Sequence, residues 1–71
     1  MKEDNTNTLR PVTDDDFFQA ARLMKAIGGG FASRIGEAFY VADMNNRARL
    51  QAAFPDLFTR YFNVYVETIK E

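Results

Sequence analysis

The glycines of this chain are confined to one short stretch, as Gly28, Gly29, Gly30 and Gly36. Around them the sequence is rich in helix formers and aromatic residues. A glycine inside a helix costs roughly 1 kcal/mol relative to alanine, and a small domain holds only a few kcal/mol of net stability. A cluster of bare backbone therefore answers a structural need. Gly29 and Gly30 are expected to end one helix and open the next, where positive φ is easily met by glycine. Gly28, Ala32 and Gly36 recur every four residues and stack along one helical face, which Tyr40 continues. Such a row lets two backbones approach closely.

Helical spacing organises the rest. Thr13 is placed to cap a first helix, with Asp14, Asp15 and Asp16 complementing the positive end of its dipole. An acidic triplet could also suggest a divalent cation, but no glycine turn or distal glutamate at loop spacing follows. Phe17, Ala20, Ala21, Met24 and Ile27 form the apolar stripe of this helix, widened by Phe18 and Leu23. A second helix is expected from about Phe31 to Asp43, with Phe31, Ile35, Ala38, Phe39 and Ala42 on its apolar side. A third runs from Arg47 to about Phe54, capped by Asn45 or Asn46. Pro55 then suits the first turn of a fourth. Residues 61–69 are aromatic and β-branched enough for a strand, but an isolated strand would have no partner, which favours helix.

The expected architecture is thus all-α, a small bundle of three to four short helices completed by self-association. Residues 1–12 form a flexible arm and 13–71 the helical domain. The expected core is Phe17, Leu23, Ile27, Phe31, Ile35, Phe39, Leu50, Phe54, Leu57, Phe58, Tyr61 and Phe62. A chain of 71 residues buries only about 60% of its unfolded surface, and this one lacks the usual staples. It has no cysteine for a disulfide and no histidine for a metal or a general base. Seven Phe and three Tyr exceed what one such core can hide, so the surplus points to an interface. Gly28, Gly29, Gly30, Ala32, Ser33, Gly36 and Tyr40 are its expected members, in a homodimer.

Little catalytic chemistry converges. Ser33 is the only serine, with no histidine to activate it, and Glu37 and Asp43 do not share a helical face. No lysine or strand frames the glycines as a phosphate loop. The expectation is a protein that is not an enzyme and holds no cofactor or metal. The formal net charge of −1 lowers the prospect of nucleic-acid binding, which normally needs a basic excess. A rival reading survives, because Asn45, Asn46, Arg47 and Arg49 open a short helix with residue types that pair with base edges. Arg22, Arg34 and Arg60 would add phosphate contacts. A third reading has Asp14 to Asp16 mimic nucleic acid and inhibit a host protein. No apolar run approaches the ~20 residues of a membrane span, and Met1–Asn5 has no apolar stretch like that of a signal peptide.

Gly28-Gly29-Gly30-Phe31-Ala32, Ala42-Asp43, Asn46-Arg47-Ala48-Arg49-Leu50 and Ala53-Phe54-Pro55-Asp56-Leu57-Phe58-Thr59-Arg60-Tyr61 resemble a recurrent type of short open reading frame. Such frames are common in bacteriophages and other mobile elements and are of unknown function. The resemblance covers the middle and C-terminal half. It implies a bacterial cytoplasm and a partner in the host machinery, and it brings no activity or ligand.

Overall fold

The computed structural model describes residues 9–70. Four helices follow one another: α1 (Asp14–Ile27), α2 (Gly29–Val41), α3 (Met44–Ala53) and α4 (Pro55–Lys70). The described residues contain no strand, so the aromatic, β-branched stretch after Tyr61 is helical, as the missing partner strand required.

α1 begins in a capping box. The Thr13 hydroxyl accepts from the Asp16 amide at 3.1 Å, and the Asp16 carboxylate accepts from the Thr13 amide at 3.2 Å. The same carboxylate accepts from the Val12 amide at 3.0 Å. These donors, Val12 foremost, hold the Asp16 carboxyl below the ordinary aspartate pKa. The acidic triplet therefore acts at the helix start, with one oxygen of the Asp16 carboxylate accepting from two backbone amides.

A single residue, Gly28, closes α1 and opens α2. Gly29 then takes φ 77°, the left-handed conformation that reverses the chain. Gly30 has no positive φ and open space where a Cβ would lie, so only one of the two expected turn glycines is conformationally required. α2 starts two residues before Phe31, and it ends at Val41 because Ala42 is extended, at ψ 148°.

The resulting antiparallel hairpin is drawn together at Gly36. A Cβ there would stand 2.6 Å from the Ala21 carbonyl oxygen and 3.1 Å from the Lys25 amide nitrogen. Further along the same seam, the Tyr40 hydroxyl donates to the Phe18 carbonyl at 3.3 Å and the Lys25 ammonium lies 4.8 Å from the Tyr40 ring centre. Close approach brings Phe17 and Phe18 onto Phe39, with centroids 6.3 and 5.0 Å apart. Phe58 of α4 completes the cluster, 5.4 Å from Phe17 and 5.2 Å from Phe39. Ala20, Ala21, Met24, Ala32 and Phe62 are buried with them.

Three expected core residues, Leu23, Ile27 and Phe31, are not in the core. Ile27 and Phe31 are each 62% exposed, because the aromatic cluster gathers at the far end of the hairpin. Phe17, Ile35, Leu50, Phe54, Leu57 and Tyr61 are half-buried around it, whereas Leu23, also half-buried, does not pack against that cluster.

α3 starts three residues earlier than expected and its cap is Asp43, whose carboxylate accepts from the Asn46 amide at 2.8 Å. Neither Asn45 nor Asn46 supplies the cap, because Asp43 already stands where an acceptor can reach the exposed amides. Phe54, at φ −131° and ψ 52°, breaks the helix before Pro55. α3 buries no residue. Of the expected N-terminal arm, residues 1–8 lie outside the described residues. Leu9 is held to α4 by a reciprocal pair: its amide donates to the Asn63 side-chain oxygen at 2.9 Å, and its carbonyl accepts from the Asn63 side-chain nitrogen at 2.7 Å.

Gly36→Ala is expected to lower stability by about 1–3 kcal/mol, as overpacking of a tight seam does. Gly30→Ala should be neutral or stabilising by up to about 1 kcal/mol. Urea titrations of both variants followed by circular dichroism check the contrast. Asp16→Asn tests the cap through pH. A lowered folded pKa makes the ionised cap stabilising above its unfolded value, and that gain is lost as pH falls through the folded one. The stability gap between wild type and variant should therefore narrow as pH falls below the ordinary aspartate pKa.

Candidate interaction surface

The residues expected at an interface divide between two sides of α2. Ala32, Gly36 and Phe39 are its buried residues, and they face α1 within the same chain. The Gly28–Ala32–Gly36 row is thus a contact surface, but its partner is intramolecular: a Cβ on Gly28 would meet the Met24 carbonyl oxygen and one on Gly36 the Ala21 carbonyl oxygen, both of α1. Tyr40 closes this seam at its edge and keeps 39% of its surface exposed. Ser33 is half-buried, with its hydroxyl donating to the Gly30 carbonyl at 3.2 Å. That bond occupies the hydroxyl in local helix geometry.

The opposite side of α2 carries Gly30, Arg34, Glu37 and Val41, all exposed. Their spacing of four, three and four residues places them on one line along the helix. Val41 is 85% exposed, a high value for a β-branched apolar side chain. Beside this line lies an open groove of about 550 Å³ lined by Lys25, Arg34, Glu37, Ala38, Tyr40 and Val41. At the hairpin end, exposed Phe31 meets the Phe54 ring edge-on at 5.5 Å. Met44, at the start of α3, is also largely exposed.

Of the α3 residues proposed for base contact, Arg47 is engaged within the chain. The Arg47 guanidinium donates to the Ala42 carbonyl at 3.2 Å and lies 5.2 Å from the Phe18 ring centre. It is half-buried and ties α3 to the α1–α2 hairpin. Asn45, Asn46 and Arg49 are exposed, but the Asp43 carboxylate occupies the helix end that would approach a phosphate. Sequence reasoning missed this role for Arg47. An arginine near a helix start reads equally as surface charge, and its aromatic platform lies 29 positions away in sequence.

Among the described residues no group of three or more acidic side chains is arranged to hold a metal ion, and no helix is long and apolar enough to cross a membrane. Comparison with protein-family models, curated proteins and solved structures yields no match for this chain.

Arg47→Ala removes a hydrogen bond and a stacked cation, and should cost about 1–2 kcal/mol of stability. Arg49→Ala should change stability by less than about 0.5 kcal/mol. Thermal melts of the two variants give the comparison.

Proposed function

We propose that this protein is a non-enzymatic helical interaction module that self-associates and binds a protein of its host cell. The observation that carries this reading is the exposure of large apolar side chains outside a well-formed core: Ile27, Phe31, Val41 and Met44 are 62, 62, 85 and 75% exposed. Burying such side chains gains about 1.5–3 kcal/mol each, and a second molecule can provide that burial where one short chain cannot. The core itself is satisfied without them, since the Phe17–Phe39–Phe58 cluster closes around α1. The polar groups most suited to chemistry are engaged locally, Ser33 with Gly30 and Arg47 with Ala42. A bacterial cytoplasm and a host partner follow from the resemblance to short phage reading frames. The same setting makes modulation of host machinery the role we assign.

Light scattering at micromolar concentration should give a mass above the 8.1 kDa of one chain. A clean monomer would remove self-association from the proposal. Electrophoretic mobility shifts with duplex DNA at low salt should show no binding, and binding that falls steeply with salt would restore the rival reading.

A further inference from the structure

Resting on that reading of self-association, we infer that two copies pair through the outer face of α2, antiparallel about a two-fold axis passing between Arg34 and Glu37. Gly30, Arg34, Glu37 and Val41 form one exposed line on the side of the helix opposite the buried Ala32, Gly36 and Phe39. Reversing the line and laying it on itself sets Arg34 against Glu37 of the second copy, and Glu37 against its Arg34. The same operation sets Val41 against Gly30. The face is complementary to itself in charge and in size.

Each part of this match has a counterpart in the structure. Gly30 is not required by its backbone conformation, and nothing lies within 4 Å of where its Cβ would stand. Its bare surface is open for the Val41 side chain of a second copy. Ser33 and Ala38, the residues flanking the line, are small and half-buried, so beside the paired Arg34 and Glu37 side chains they add little bulk to the contact. A parallel pairing would set Arg34 against Arg34 and Glu37 against Glu37, which like-charge repulsion disfavours. An isologous contact of this kind is the commonest way for a small protein to form a closed dimer.

Charge exchange provides the test. Arg34→Glu makes the line wholly acidic and Glu37→Arg makes it wholly basic. Sedimentation velocity at low salt should show wild type associating and each single variant associating about tenfold more weakly. The double variant Arg34→Glu/Glu37→Arg should recover wild-type association. An equimolar mixture of the two single variants should form a heterodimer, because one acidic face then meets one basic face. Rescue in the mixture requires contact between chains and cannot come from repair within one helix. If wild type associates and neither single variant weakens it, or if the mixture fails to pair, the α2 interface is wrong while self-association stands. If wild type remains monomeric at every concentration, both fall. Circular dichroism of each variant confirms that the fold is kept, as expected for two exposed positions.

Discussion

The approach of α2 to the Ala21 carbonyl at Gly36 is the contact on which the fold depends. No side chain separates the two backbones there, and that proximity allows Phe39 to reach both Phe17 and Phe18. α4 then has a formed surface to cover, and Phe58 enters it. The small residues of α1, Ala20 and Ala21, are fully buried at the same seam. Had α1 carried larger residues there, the helices would separate toward the 8–10 Å typical of ordinary pairs, and the aromatic cluster would open. The concentration of glycine noted in the sequence thus divides into one turn, at Gly29, and two close contacts, at Gly28 and Gly36.

Much of the helical plan could be read from residue spacing, and the failures have physical causes. The Thr13 cap, the break at Phe54-Pro55 and the helix through residues 61–69 are set by neighbours in the chain, so local pattern is enough. Ile27 and Phe31 lie on apolar stripes as regular as any other, yet they are exposed. Periodicity says which side of a helix is apolar, but not how far along it a neighbour extends. The row of small residues shows the same limit. Spacing could reveal that Gly36 receives another backbone, and only the fold shows that this backbone is α1. Arg47 was hardest to place, since its role depends on Phe18, an aromatic ring on another helix.

α3 illustrates a helix held by its ends and by one cation. It has no fully buried residue, and only Leu50 with the following Phe54 packs against the core, so its apolar face alone holds it weakly. Asp43 satisfies its first amides, Arg47 anchors its start to Ala42 and Phe18, and Pro55 dictates where it stops. Low local burial of this kind marks a segment that opens at less cost than the hairpin. The stable part of the molecule is α1 with α2 and α4, and α3 is the strap that joins them.

The clasp between Asn63 and Leu9 has a consequence for variation at the N-terminus. The carboxamide engages only the amide and carbonyl of residue 9, in the manner of a neighbouring strand, while its nitrogen also reaches the Thr59 carbonyl. The leucine side chain is 44% exposed and contributes neither bond. Position 9 is therefore recognised as backbone rather than as leucine. The two bonds need a free N–H, which proline lacks, and ask nothing of the side chain. The entering chain is thus held twice by its backbone, at Asn63 and at Asp16, and neither grip reads the side chain of the residue it holds through these bonds.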